Sequence, residues 1–364
     1  MMFPIMLLWQ EFQQRLLNKR GDSYGMTIAL IAVFFLILWK SRICNNGYDS
    51  YMNREQTQMI NGIFIILVFM RHFNQYVQLD SVIEVPFLYL NKILGQLIVT
   101  TIMFYSGYGV MTSIMKEYNY VNRMPKKRIF KTMLLFDIAI CIYVVMNVCL
   151  NIEMTWKQII LSLVGWEGVG NSTWYIFAIL MMYSFTYIGF RISRNDLIKG
   201  LLIITLFIAA YILIIRKFKD SQYYNTVFCY ALGLWYAIAK RKIDNKILHN
   251  NNWWIAWGGA VTAFTICAYC RDVNLVLNQF YYLFFVLVIV LLSMRVKLDS
   301  SILLWCGQNL LGLYILQRIP MILCKEWELT SNPYLSLFFV RCSYNNFSSC
   351  FSQICYWNGK NLRR

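Results

Sequence analysis

Charge is scarce in this chain. Only 14% of its 364 residues are charged while 59% are hydrophobic, against about 25% and about 45–50% in a soluble domain. That excludes a water-soluble fold and fits an integral membrane protein. Acidic residues are the scarcest: 17 Asp and Glu face 34 Lys and Arg, a formal net charge of +17. A nucleic-acid module would gather such an excess on one basic face. Here the cations stand in short clusters between apolar runs, as in a protein oriented across a bilayer, and nucleic acid is excluded as a partner. The eleven cysteines are odd in number and fall mostly inside apolar segments, such as Cys141, Cys149, Cys229, Cys267 and Cys306. There a thiol acts as a small hydrophobe, so no disulfide framework is implied. Cys267 and Cys270 have CxxC spacing but no second Cys/His pair, and no metal site is read from them. Residues 1–24 are polar and charged, without the order of a cleaved signal. No fixed-period repeat is visible, nor the paired Gly/Pro-broken helices that mark many transporters.

What remains is apolar. A helix needs about 20 such residues to cross the hydrocarbon, and that ruler finds ten candidate spans: 25–39, 62–79, 93–115, 132–150, 174–190, 197–215, 223–239, 253–270, 280–294 and 302–316. The expected fold is all-α, a polytopic membrane bundle of about ten helices over 25–323. A polar segment precedes it, 1–24, and an atypical, poorly ordered one follows, 324–364. The second span carries Arg71, His72, Asn74 and Gln75, which suits the interior of the bundle rather than lipid. Between the third and fourth spans stands the densest basic loop, Lys116, Arg123, Lys126, Lys127, Arg128 and Lys131 against Glu117. The positive-inside rule makes it cytoplasmic. Counting from there, 191–199, 240–246 and 295–297 are also inside and also basic, and counting backwards places 40–61 inside. Arg216, Lys217 and Lys219 fall outside and break the pattern. From Arg341 the chain turns to Ser, Asn and Cys, either a disordered tail or a departure from the native reading frame.

A charge kept at mid-membrane costs about 2.5–3.5 kcal/mol even on the lenient insertion scale, so each one needs a reason. If the second span begins near Asn61, a rise of about 1.5 Å per residue puts His72 about 16 Å in, near the bilayer centre. A lone apolar-face histidine is most often a packing residue. At this depth, however, the imidazole is the one group that exchanges a proton near neutral pH. The other histidine, His249, falls in a cytoplasmic loop. Arg71 either snorkels outward or pairs with Asp80 or Glu84. Asp137 either snorkels toward the basic loop or orients His72. The KKRIFK stretch is either an ordinary anchor or a phosphate grip in which Arg128 and Lys131, at i and i+3, share one helix face.

Several segments, in order from about Gln58 to Leu323, resemble the acyltransferase family 3 membrane proteins, which O-acylate surface polysaccharides. INGIFIILVFMRHFNQYV is similar to the family's opening helix, with His72 on its catalytic histidine and Asn61 on a usually basic position that Arg71 or Arg54 would have to replace. MFYSGYGVMTSIMKE carries the Ser-Gly-Tyr stretch at Ser106, Gly107 and Tyr108. RIFK resembles Arg-x-x-Arg, with Arg128 matched and Lys131 conservative, keeping the charge but losing the bidentate fork. GVGNSTWYIFAILMMY resembles a Trp-Tyr helix start at Trp174 and Tyr175. YYNTVFCYALGLWYA and LLWCGQNLLGLYILQRIP are similar to late spans, with Gln317 where a histidine is often found.

The resemblance implies acetyl-CoA as donor from the cytoplasm and, as partners, a polysaccharide or lipid-linked glycan acceptor and the lipid of a bacterial plasma membrane, with no metal. His72 is then the catalytic residue, as general base or acyl acceptor. Arg128, Lys131 and Lys127 hold the CoA phosphates, and Arg71, Ser106, Tyr108, Trp174 and Tyr175 line the acceptor path. Two rivals stay open: a polysaccharide or lipid-linked sugar transporter, and a decayed, non-catalytic relative.

Overall fold

The computed structural model describes residues 25–77, 79, 81–117, 119–248 and 252–327. Expectations for 1–24, Asp80, His249 and everything from Glu328 onward, the 341–364 tail included, lie outside the described residues.

Every one of the ten expected spans carries helix. The principal helices are α1 (Gly25–Leu38), α2 (Arg54–Phe73), α3 (Val85–Leu94), α4 (Leu97–Lys116), α5 (Tyr120–Met124), α6 (Lys131–Cys149), α7 (Trp156–Leu163), α8 (Trp174–Ile192), α9 (Leu197–Ile215), α10 (Phe228–Ile243), α11 (Asn252–Cys270) and α12 (Leu275–Ser293). The last expected span is broken into α13 (Ser301–Gln308) and α14 (Leu310–Leu316), and α15 (Arg318–Glu326) follows directly. Among the described residues, six helices are long and apolar enough to cross a membrane by themselves, with 120–149 counted as one. The chain is a multi-pass membrane bundle. Helix starts follow capping chemistry: Asn53, Asp196, Asn274 and Ser300 each accept a bond from a first-turn N–H, satisfying a donor the helix leaves free.

α2 begins eight residues before the apolar run that announces it, because Arg54 to Asn61 wind into the same helix. Its polar residues are tolerated since it lies inside the bundle, with Phe64, Ile65, Val68 and His72 buried. His72 stands in the last turn of this 20-residue helix, about 27 Å from Arg54 at the standard rise. Two glycine crossings hold the centre together. A Cβ on Gly62 would lie 2.0 Å from the Leu303 carbonyl oxygen and one on Gly307 1.8 Å from that of Gln58, so α2 and α13 touch backbone to backbone. Gly107 on α4 and Gly233 on α10 do the same, each 2.1 Å from a facing carbonyl. Small residues permit this approach where water supplies no hydrophobic drive between helices.

The basic loops share one end of the bundle. Two short strands pair Arg42 with Lys297, Tyr51 donates to Asp244 at 2.6 Å, and Arg191 donates to Asn122 at 3.1 Å. At the far end Asn225 donates to Gln96 at 3.1 Å. There, too, Lys219 donates to the Trp166 carbonyl at 2.5 Å, with its ammonium 4.3 Å from the Trp166 ring centroid. One of the three misplaced cations is therefore held by a carbonyl and an aromatic face.

Candidate active site

Among the described residues, two of the cavities hold the expected site residues, one toward each end of the bundle. The larger, about 900 Å³, is reached from the basic end. α2 contributes Arg54 and Asn61, α4 contributes Ser106, Tyr108 and Lys116, and α8 contributes Tyr175 and Tyr183. Arg128 reaches in from a π-helical turn, Pro125–Phe130, that joins α5 to α6. Its Nε donates to the Tyr120 hydroxyl at 2.9 Å, its guanidinium carbon lies 5.9 Å from the Tyr183 ring centroid, and Tyr183 shares a 2.7 Å bond with Ser106. The wide turn changes which neighbours share its face. Thr132, four residues on, lines the cavity; Lys131 does not, and Lys126 and Lys127 are exposed. The expected i, i+3 cation pair is thus not formed toward the cavity. In its place stand Arg54 and Lys116, which were not assigned a phosphate role. The Asn61 Oδ1 is buried without a partner.

The smaller cavity, about 250 Å³, lies at the far end. His72 and Arg71 face it with Gln75, Gln96, Trp174 and Arg318, and the buried turn Asn171–Thr173 forms a further wall. His72 is 6% exposed and its Nδ1 has no bonding partner. Its ring centroid lies 6.3 Å from that of Tyr314, whose hydroxyl donates to Ser172 at 3.1 Å. Asp137 does not orient it: no hydrogen bond joins the two, and the Asp137 Oδ1 is itself unpartnered. Glu84 does not pair with Arg71 either. It is wholly buried, accepting from the Met26 and Thr27 backbone at 3.0 and 2.8 Å and so anchoring the start of α1. Arg71 instead donates to the Asn91 carbonyl at 3.0 Å. Gln317, at the position noted for histidine, turns inward and donates to the Tyr314 carbonyl.

The site residues therefore divide. Arg128, Ser106, Tyr108 and Tyr175 line the larger cavity, and His72, Arg71 and Trp174 line the smaller. The two chambers meet at a thin layer. Trp174 faces one and Tyr175 the other, and Val99 and Ile102, about 4.5 Å apart along α4, do likewise. Tyr175 packs edge-on against Tyr314 with centroids 5.0 Å apart. Arg318 escaped the sequence reading because it follows a broken helix, where no periodicity assigns it a face.

A family model described as an acyltransferase domain, the family 3 type, matches residues 59–342. The chain belongs to acyltransferase family 3. The match runs through both cavities, from the second turn of α2 past α15, so the larger and smaller chambers are parts of one membrane acyltransferase. No curated protein and no solved structure matches this acyltransferase.

Proposed function

We propose that this acyltransferase moves an acetyl group from cytoplasmic acetyl-CoA to a hydroxyl of a surface or capsular polysaccharide, or its lipid-linked precursor, at a bacterial plasma membrane. The observation that carries the reading is the meeting of two chambers from opposite ends of the bundle, with a buried histidine carrying a free ring nitrogen beside the layer between them. The donor chamber suits a polyphosphate: Arg54, Lys116 and Arg128 line it with no acidic residue among the lining side chains. Charge-assisted bonds to phosphate are roughly twice as strong as neutral ones. The unpartnered Asn61 Oδ1 would accept from a donor amide.

In this reading the phosphates stay at the basic end and the pantetheine arm passes Tyr175, bringing the thioester carbonyl to the layer below His72. The acceptor hydroxyl gives its proton to the imidazole as its oxygen attacks the carbonyl carbon. The carbon–sulfur bond breaks, and the proton returns to the departing thiolate, leaving an acetyl ester and free CoA. Trp174 offers an aromatic face for the sugar. The test is transfer of label from radiolabelled acetyl-CoA to extracted polysaccharide by membranes carrying the full chain, with His72→Ala beside the parent. Equal transfer by both would remove His72 from the reaction, and no transfer by either would remove the acceptor class.

A further inference from the structure

The far-end cavity is charged in a way that the transfer reaction does not require. Arg71 and Arg318 both line it and no acidic side chain does; Glu153 and Glu326 line a neighbouring cavity that Arg318 also borders. Both arginines have neutral partners: Arg71 donates to the Asn91 carbonyl at 3.0 Å and Arg318 to the Gln75 Oε1 at 2.8 Å. Among the described residues no carboxylate forms an ion pair with either. Buried donors are left over as well, since the Arg318 Nε and the Asn171 Nδ2 have no partner. Half-buried cations without a counter-charge are costly, and buried donors are normally satisfied.

Resting on the function proposed above, we propose that the acceptor is an acidic saccharide, whose carboxylate or phosphate lies against Arg71 and Arg318 while a neighbouring hydroxyl lies at His72. An anion here supplies the missing counter-charge and gives the Arg318 Nε an acceptor. Arg fits both groups, since its planar fork matches carboxylate and phosphate oxygens alike. At about 250 Å³ the cavity lies just below the usual range of ligand sites, about 300–1,000 Å³, so it takes a terminal sugar rather than an extended strand. Trp174 and Tyr223 provide rings for the sugar face.

The experiment separates binding from transfer. Calorimetric titration of the purified full chain with galacturonic acid, glucose 6-phosphate, glucose and inorganic phosphate is expected to rank both acidic sugars at least about tenfold above glucose, with inorganic phosphate weaker than glucose 6-phosphate. The better of the two acids identifies the source of the charge. Arg318→Gln should shrink the preference, and Arg318→Lys should restore part of it. Glucose binding as tightly as either acid overturns the proposal, as does inorganic phosphate matching the sugar phosphate. A preference that survives both Arg318→Gln and Arg71→Gln also overturns it. Because the parent alone ranks the four probes, a variant that fails to fold does not blunt the test. A clear acid preference without any acetyl transfer would uphold the anionic site and discard the proposed reaction.

Discussion

The two cavities are built from different material. The larger one is walled by side chains on long helices, with the Gly62–Gly307 and Gly107–Gly233 crossings in its frame. The smaller takes much of its wall from loops, Gly168 and Asn171 to Thr173 on one side and Gln222 and Tyr223 on the other. Neither is lined by an acidic residue, so charge alone does not tell them apart. What differs is the material of the walls: helices in backbone contact at one end and, at the other, more of the loops that carry the variable, recognising parts of many sites. The contrast fits a donor common to many enzymes at one end and an acceptor particular to this one at the other.

The sharpest way to break the comparison is at the single group that the proposed reaction assigns to chemistry rather than to binding. His72→Ala is expected to lower acetyl transfer by about 10²–10⁴-fold at normal membrane abundance, measured by label transfer and immunoblot. Retained activity would make the smaller cavity a bystander. Next comes the donor side. Arg128→Ala should raise the KM for acetyl-CoA about tenfold or more, from loss of a charge-assisted contact of about 1.5–3 kcal/mol, and leave acceptor KM alone. Arg54→Ala should move the same constant in the same direction, while Lys127→Ala, at an exposed position, should shift it less than about twofold. If Lys127 rather than Arg54 behaves like Arg128, the phosphates lie outside the cavity. The frame is tested by Gly107→Ala, whose new Cβ meets a backbone carbonyl. A loss of about 1–3 kcal/mol in stability is expected, read as a lowered melting temperature in detergent, with donor KM rising before acceptor KM. The smallest effect is expected at Tyr314→Phe, which removes one bond to Ser172, worth about 1 kcal/mol. Acceptor KM should rise severalfold at most and donor KM stay put.

The same contrast explains how far the sequence could be read. α9 has the bounds its apolar run foretold, Leu197–Ile215, because Asp196 caps one end and the charged Arg216 follows the other. α2 was placed eight residues late, since Arg54, Glu55, Gln56 and Gln58 look like loop to a hydropathy ruler that cannot sense a neighbouring helix. Of the four only Gln56 is buried, donating to and accepting from the Leu298 backbone just before α13 at 2.6 and 3.1 Å, while α13 itself meets the Gln58 carbonyl through Gly307. His72, Ser106, Tyr108 and Arg128 were legible from motifs, and each lines a cavity. Lys131 does not line the cavity with Arg128, since their expected common face assumes 3.6 residues per turn and the π-turn at Pro125–Phe130 does not keep it. Arg318 was invisible for a related reason, the helix break at Asn309.

The layer between the chambers has an electrical consequence. If water fills both cavities, little of the membrane's thickness remains as insulator, and the potential across the bilayer falls chiefly over the few ångströms that hold Tyr175 and Tyr314. Moving one elementary charge through 100 mV is worth about 2.3 kcal/mol. A proton passing from His72 to the thiolate at that layer would feel part of it. Acyl transfer in such an enzyme would then run faster or slower with the cell's energisation, at fixed concentrations of donor and acceptor.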